Sequence, residues 1–306
     1  MKVSIIGAGN VGATLAQRIL ESGLAEVVLL DVLREMAKGK AYDMQDAAAI
    51  LGSDIKIKGT SDYKDIEDSN IVVITAGKAR RPGMSRDDLQ RENAVIVKDV
   101  AGQIKKYAKD SIVIVVTNPL DVMAYLVHKV TGFPSTKVFG MAGVLDAGRL
   151  SCILSQHLNT QPKNIKSLVL GTHGDSMVPV FKETFVNGKA LDNLLPENDL
   201  PGIQEKVQNR GGEIVSLLGT GSAYYGPSAA TFLMIKSILN DEKKTFAVSA
   251  LLQGEYGLKD VYIGVPVKLG KQGIEEVLEI KLDKQCTKAL GDCASIIKQS
   301  ISKLQI

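Results

Sequence analysis

Short apolar runs alternate with longer amphipathic segments through the first half of the chain. Five runs rich in β-branched residues predict strands: residues 3–6, 26–30, 55–58, 71–75 and 112–116. Because these runs are largely apolar, they suit strands covered on both faces, as in a parallel sheet. Between them, Val11, Leu15 and Ile19 recur at helical spacing, and residues 87–109 form a longer helical pattern. The first half therefore predicts repeated strand–helix–strand units.

The alternation stops beyond Gly140. A helical segment at 145–158 and a strand-like run at 166–170 precede residues 184–191, where Asn187-Gly188 predicts a hairpin turn. The remaining predicted elements are helices at 203–218 and 223–239, strands at 246–252, 261–267 and 277–282, and an amphipathic helix at 283–304. We therefore predict an α/β protein with an N-terminal Rossmann domain, a doubly wound parallel sheet spanning 1–143, and a C-terminal α+β domain spanning 144–306.

Composition narrows the class of protein. The 306 residues suffice for two domains, and 45% hydrophobic with 23% charged residues is typical of a globular protein. A net charge of +3 is too small for a nucleic-acid-binding surface, and no apolar run reaches the ~18 residues of a membrane span. Three cysteines are too few for a disulfide framework. We expect no nucleic-acid or membrane partner, and a cytoplasmic location.

A glycine-rich turn follows the first predicted strand and opens the first predicted helix. Its residues are Gly7, Ala8, Gly9, Asn10, Val11 and Gly12. The first glycine of such a turn permits the tight bend, the second lets backbone amides approach a pyrophosphate, and the third lets the helix pack on the strand. Asp31, ~20 residues later, can accept hydrogen bonds from the adenosine ribose. This pattern favours NAD, although Arg34 could meet the 2'-phosphate of NADP.

The three histidines differ in their surroundings. His128 and His157 lie in helical patterns, which favours structural roles, and no clustered His or Cys spacing indicates a metal site. His173 follows a predicted strand on a glycine-flanked loop, where an imidazole can take the hydroxyl proton of an alcohol as a hydride leaves carbon. A histidine serving only the turn is the alternative.

Two charged residues at helical spacing complement His173. Asp146 and Arg149 lie three residues apart, so an acid for the imidazole and a guanidinium for a substrate carboxylate can share one helix face. On spacing alone, a plain surface ion pair is the favoured explanation of these two residues.

Two further loops carry candidate ligand-binding residues. The 77–86 loop holds Arg80, Arg81 and Arg86 among Gly and Pro residues, which suits either a lid or a solvated basic turn. Asn118 ends the fifth predicted strand, where a polar side chain faces the ligand crevice or simply makes a turn.

Taken in order, these motifs resemble the lactate/malate dehydrogenase family over essentially the whole chain, and within it the lactate-dehydrogenase-like malate dehydrogenases. The matching segments are the 7–12 turn with Asp31, the 80–86 lid, 117–119, 140–149 and 171–176. The resemblance implies an NAD-dependent enzyme that interconverts malate and oxaloacetate without a metal.

The resemblance also assigns roles. It makes His173 the acid/base, Asp146 its orienting carboxylate, Arg149 the partner of the substrate C1 carboxylate and Arg86 the group that polarises the carbonyl, with Asn118 orienting the substrate. Besides the glycine turn and Asp31, it places Asn93, Val116, Thr117 and Asn118 at NAD.

Substrate choice is expected to depend on Arg80, whose position is arginine in malate enzymes and glutamine in lactate enzymes of this family. An unpaired guanidinium opposite a methyl group is costly in a closed site, whereas a second substrate carboxylate relieves that cost. The neighbouring Arg81 leaves a one-residue ambiguity. Lactate dehydrogenase and a catalytically silent NAD-binding protein are the alternatives. The resemblance also implies a homodimer or homotetramer, with residues 36–51 as an interface.

Overall fold

Nine strands form one mixed sheet in the part of the chain that the structure describes. The structure is a computed structural model, and it describes residues 1–79 and 84–304. Its strands are β1 (Lys2–Ile6), β2 (Glu26–Leu30), β3 (Ile57–Thr60), β4 (Ile71–Ile74), β5 (Ile112–Val115), β6 (Val138–Met141), β7 (Ile165–Lys166), β8 (Val169–Leu170), β9 (Val178–Pro179), β10 (Phe185–Val186), β11 (Lys189–Ala190), β12 (Lys244–Gln253), β13 (Lys259–Gly270) and β14 (Gly273–Val277). Its α-helices are α1 (Asn10–Glu21), α2 (Arg34–Ile50), α3 (Arg86–Tyr107), α4 (Leu120–Thr131), α5 (Gly143–His157), α6 (Leu200–Leu218), α7 (Tyr225–Leu239) and α8 (Lys284–Ser302).

The strand order in the large sheet is β14-β13-β12-β6-β5-β4-β1-β2-β3. The strands from β1 to β6 are all parallel, and the chain reverses its winding direction between β1 and β4. In such a sheet, the crevice beyond the carboxyl ends of the strands at this reversal is the usual ligand site. The predicted fold class, a doubly wound parallel sheet followed by an α/β region, is confirmed.

The parallel sheet continues into the second half of the chain. Strand β12 pairs antiparallel with β6, placing Val248 opposite Met141 and Ser249 opposite Gly140, and β13 and β14 extend the sheet by antiparallel pairing. All four residues are buried, and Val248 is fully buried. This junction fixes the second half against the strands whose ends carry the candidate site.

Two predicted strands are misplaced, and side chains explain both errors. The run at 55–58 is strand 57–60, because the backbone of Ile55 bonds to the side chains of Ser53 and Gln45 instead of extending the β2–β3 ladder. The strand predicted at 277–282 is also misplaced, because β14 spans Gly273–Val277 and so ends where the predicted strand begins. There the Tyr256 hydroxyl bonds the backbones of Leu278 and Ile280 and so replaces the ladder.

Two other differences involve short strands. Strand β6 has no counterpart among the predicted strands, and the run at 166–170 divides into β7 and β8, which belong to different small sheets. The predicted hairpin at Asn187-Gly188 is confirmed as the β10–β11 turn.

Helix α3 begins at a defined cap. The Ser85 hydroxyl accepts a hydrogen bond from the Asp88 backbone, and the Asp88 carboxylate accepts one from the Ser85 backbone in return. This capping box satisfies two backbone groups that a helix start otherwise leaves unpaired. It therefore fixes the point at which the 77–86 loop becomes helix, with Arg86 as the first helical residue.

No helix among the described residues is long and apolar enough to cross a membrane.

We predict that Val248→Ala lowers the free energy of unfolding by about 2 kcal/mol, because it removes two methyl groups from the fully buried β6–β12 junction. The shift in the denaturation midpoint measures this effect. Val95→Ala is the matched control, since Val95 is 70% exposed on α3 and should change stability by no more than about 0.5 kcal/mol. Equal midpoints for the two variants would contradict the described junction.

Candidate active site

The glycine turn lies between β1 and α1 at the sheet reversal, and its glycines have different constraints. Gly7 has φ +112°, which favours glycine, and a Cβ on Gly12 would overlap the Gly7 carbonyl oxygen. A Cβ on Gly9, by contrast, would meet nothing within 4 Å. Gly9 and Asn10 are exposed at the start of α1. The turn therefore presents backbone amides and a helix N-terminus to open space, which fits a pyrophosphate.

Asp31 stands beside this turn, directly after β2. Its carboxylate accepts hydrogen bonds from the Ala8 backbone at 2.7 Å and the Leu33 backbone at 3.0 Å, and Lys40 Nζ donates to the Ala8 carbonyl at 2.6 Å. The carboxylate is therefore held next to the glycine turn, which fits an acid that binds the ribose hydroxyls of a dinucleotide.

Asn93 ties together two loops at the same edge of the sheet. Its side-chain oxygen accepts from the Lys78 backbone at 2.7 Å, and its amide nitrogen donates to the carbonyls of Lys78 at 3.2 Å and Asn118 at 2.7 Å. The residue is 1% exposed. Asn93 thus positions Asn118 and the beginning of the 77–86 loop, and its direct contact with NAD stays a prediction.

The segment after β5 reaches the crevice. Val116 and Thr117 are buried, and the Thr117 hydroxyl donates to the Ala76 carbonyl at 2.7 Å. Asn118 is exposed and precedes a cis peptide bond to Pro119. Asn118 thus stands at the carboxyl end of β5, and its contact with substrate or NAD stays a prediction.

Asp146 joins the two predicted cationic partners. Its Oδ2 lies 2.9 Å from His173 Nδ1, and its Oδ1 lies 3.3 Å from an Arg149 guanidinium nitrogen. The side chains of Asp146, His173 and Arg149 are 2%, 11% and 12% exposed, respectively. These three residues therefore form one buried cluster rather than a surface ion pair with a separate loop histidine.

Burial and charge act in opposite directions on His173. Burial alone would lower the pKa of the imidazole, but the Asp146 carboxylate, through its charge and its hydrogen bond, raises this pKa above the ordinary value. Arg149 opposes Asp146 at His173. Burial also lowers the pKa of Arg149, and Asp146 counteracts that effect. One carboxylate thus supports the positive forms of both neighbours.

Sequence reasoning missed a second acid at this cluster. Asp121, in the first turn of α4, is 6% exposed, and its Oδ2 accepts the His173 backbone N–H at 3.2 Å. The sequence does carry a signal for this acid, because Asp121 lies three residues after Asn118 and among the apolar residues of the helical pattern.

The structure describes Arg86 but not Arg80. Arg86 pairs with Asp175 of the His173 loop, and both side chains are more than 60% exposed. Arg80, together with Arg81, Pro82 and Gly83, lies outside the described residues, so its role stays a prediction.

The other two histidines lie away from the cluster. The His128 ring packs against Tyr262, with 5.9 Å between ring centroids, and burial lowers its pKa. His157 is half exposed, with Asp199 4.0 Å away. Both positions fit the structural roles expected for them.

Comparison with known proteins places the chain in a family. The model of the lactate/malate dehydrogenase NAD-binding domain matches residues 1–140, and the model of the family's α/β C-terminal domain matches residues 143–305. The chain belongs to the lactate/malate dehydrogenase family. Its first half is accordingly an NAD-binding domain, as the glycine turn and Asp31 predict.

Similar proteins include both malate dehydrogenases and lactate dehydrogenases. A malate dehydrogenase of Methanosarcina mazei is 49% identical over 306 residues, with 100% of each chain covered. A malate dehydrogenase structure from Salinibacter ruber is 43% identical, with a TM-score of 0.95 and coverage of 100% of this chain and 98% of that chain. A lactate dehydrogenase structure from Cryptosporidium parvum, in complex with lactic acid and NAD, is 37% identical, with a TM-score of 0.95 and coverage of 98% and 96%. Overall shape is thus common to both activities in this family.

We predict opposite consequences for two alanine substitutions in the glycine turn. Gly12→Ala should destabilise the fold by about 3 kcal/mol, because its methyl group would overlap the Gly7 carbonyl. Gly9→Ala should fold normally but bind NAD at least about tenfold more weakly, because its methyl group would stand where the pyrophosphate approaches. Thermal midpoints and NADH fluorescence titration separate the two effects. Unchanged NADH affinity in Gly9→Ala would exclude this turn as the pyrophosphate site.

Proposed function

We propose that this chain is an NAD-dependent malate dehydrogenase, which reversibly oxidises (S)-malate to oxaloacetate. The observation that carries the proposal is the buried cluster in which the Asp146 carboxylate contacts both His173 and Arg149. A titratable imidazole and a guanidinium, held together beside a dinucleotide-binding edge, match the needs of a 2-hydroxy acid. Eight relatives that are 46–49% identical over essentially their full length are named malate dehydrogenase, which supports the choice of substrate.

His173 acts as the acid/base in this proposal. Asp146 engages Nδ1, which fixes the ring orientation and leaves Nε2 for the substrate hydroxyl. During malate oxidation, Nε2 takes the hydroxyl proton, and during oxaloacetate reduction the imidazolium returns it to the carbonyl oxygen. Bound NAD supplies the hydride chemistry. Asp146 stabilises the imidazolium that forms, consistent with the raised pKa of His173.

The remaining polar groups bind and orient the substrate. Arg149 pairs with the C1 carboxylate, since its guanidinium is buried beside His173 and can bind a carboxylate in a bidentate manner. Arg86 polarises the C2 carbonyl, and Asn118 orients the same end of the molecule. Arg80 pairs with the second carboxylate of malate, which distinguishes it from lactate.

In this proposal, NAD binding and acid/base catalysis belong to the two predicted domains. Residues 1–143 hold NAD through the 7–12 turn, Asp31, Asn93 and 116–118, whereas residues 144–306 supply His173 and its partners. Three free cysteines agree with a reducing compartment, and we place the enzyme in the cytoplasm.

We also propose that the enzyme is a homodimer or homotetramer. On α2 and the residue after it, Tyr42, Ile50 and Leu51 are 66%, 85% and 62% exposed, and on α7 Tyr225 is 65% exposed. Apolar side chains clustered on two helices support burial against another copy of the chain. Mass measurement in solution tests this assignment.

For His173→Asn we expect intact NADH binding and a loss of kcat of about 10³-fold, because asparagine cannot exchange the proton. NADH fluorescence titration and malate oxidation rates measure the two properties. Near-normal turnover would exclude His173 as the acid/base. If the wild-type chain turned over neither malate nor lactate with NAD, a silent NAD-binding protein would be the better description.

For Arg80→Gln we expect the ratio of kcat/KM for oxaloacetate over pyruvate to fall about 100-fold, because the variant loses a charged partner of the second carboxylate. Arg81→Gln is the matched comparison and should change this ratio far less. A larger effect of Arg81→Gln would move the role by one residue. Unchanged selectivity in both variants would remove the lid arginines from substrate choice. Repeating the assay with NADP tests the preference attributed to Asp31.

A further inference from the structure

Asp121 holds the backbone of the His173 loop, whereas Asp146 holds the imidazole ring. The loop is bound at its start by Gly171, whose backbone exchanges two hydrogen bonds of 2.9 Å with Gly264 of β13. Two residues later, the His173 N–H donates to Asp121 Oδ2 at 3.2 Å. His173 is therefore held by carboxylates at two points, its ring by Asp146 and its backbone by Asp121.

The second oxygen of Asp121 is buried without an ordinary partner. Within the described residues, neither Asp121 Oδ1 nor the Ser249 hydroxyl forms a hydrogen bond of normal geometry, and both atoms are buried. Ser249 is fully buried where β12 pairs with Gly140 of β6, beside Leu120 at the start of α4. Two buried polar groups thus lie near each other, behind the His173 loop.

Burial and neighbouring charges determine the protonation of Asp121. Burial raises the pKa of its carboxyl to about 6, the Ser249 hydroxyl and the His173 backbone oppose this rise, and the charge of Asp146 adds to it. At pH 7 the carboxyl is therefore mainly ionised, and it supports the positive form of His173.

Other titratable groups around this position come from α5 and α8, and Arg210 of α6 acts on Arg149. Asp146 and Arg149 on α5 form an ion pair with each other. Cys293 on α8 has a thiol whose pKa burial raises, so the thiol is neutral near pH 7. Asp121 thus adds a second negative charge to that of Asp146 in the surroundings of His173.

We propose that Asp121 is a positioning residue for the acid/base group: its buried carboxylate, with Ser249 behind it, fixes the His173 backbone and supplies a second negative charge for the imidazolium. Asp121 touches neither substrate nor cofactor and acts through His173. The inference rests on the proposed role of His173, and its test does not depend on turnover.

A purely structural role makes a different prediction. A neutral amide can accept the same backbone N–H, so a residue needed only for that hydrogen bond could be asparagine. A buried carboxylate costs desolvation energy, which a neutral amide avoids. The charge itself is therefore the property to test.

The test is a histidine-selective NMR titration of the full chain without ligands. The chain has only three histidines, which His128→Gln, His157→Gln and His173→Gln assign. In Asp121→Asn, we expect a downward shift of the His173 titration midpoint and an unchanged midpoint for the half-exposed His157. The acidic limb of kcat/KM for malate should shift in the same direction, with KM for NAD unchanged.

Ser249→Ala provides a second variant that keeps the carboxyl. Removing the hydroxyl should raise the pKa of Asp121, reduce its negative charge near pH 6 to 7, and lower the His173 midpoint by a smaller amount than Asp121→Asn does. Asp121→Ala, which also removes the backbone anchor, should lower kcat by ~10- to 100-fold, since a small displacement of a catalytic group has effects of this size.

The outcomes separate the two proposals. An unchanged His173 midpoint in Asp121→Asn, or in Ser249→Ala if Asp121→Asn does not fold, would overturn the role of Asp121 even if His173 is essential for turnover. A shifted midpoint together with normal turnover in His173→Asn would support the coupling and refute the acid/base assignment instead.

Discussion

The ion pair and hydrogen bond made by the Asp146 carboxylate are the interactions on which the site depends. A single buried carboxylate is costly, and its removal from water is compensated here by two cationic partners and by its position in the first turn of α5, where the helix dipole favours negative charge. Each partner in turn needs the carboxylate, because burial alone would lower the pKa of both His173 and Arg149. The three groups are therefore stable as a set and costly to separate.

The sheet provides the rigidity that such a set requires. Asp146 lies on the helix that follows β6, and His173 follows β8, whose next residue bonds to β13. Because β6 and β13 flank β12 on its two sides in one continuous sheet, the two partners are attached to the same layer, one strand apart. A hydrogen bond of 2.9 Å between them then requires no adjustment of domains across a flexible linker.

The parts of the fold that could be predicted from sequence are those with local causes. The apolar runs before Gly7 and Asp31 predict the parallel strands, and the glycine spacing predicts the turn. The parts that could not be predicted have causes distant in sequence. The strand predicted at 277–282 does not form, because the Tyr256 hydroxyl bonds the backbone after Val277, and β6 is a strand because β5 and β12 pair with it.

The same distinction applies within the candidate site. Chemistry and resemblance predicted His173, Asp146 and Arg149. Asp121, by contrast, looks in the sequence like an ordinary acidic residue in the first turn of a helix. Its proximity to His173 arises only when β8 and α4 meet, 52 residues apart along the chain. The hydrogen bonds of Asn93 to Lys78 and Asn118 could likewise not be predicted from the sequence pattern.

Arg86 differs from the buried cluster in how strongly it is held. Its partner Asp175 belongs to the same loop as His173, but both side chains are largely exposed, so water screens the pair and its contribution is small. The Asp146–Arg149 pair is buried instead, and removing either partner would leave an uncompensated charge away from water. The ion pair around Asp146 is therefore fixed, whereas the Arg86 guanidinium can leave Asp175 at little cost. The role proposed for Arg86 requires this freedom, because a guanidinium that polarises a substrate carbonyl must be available to it.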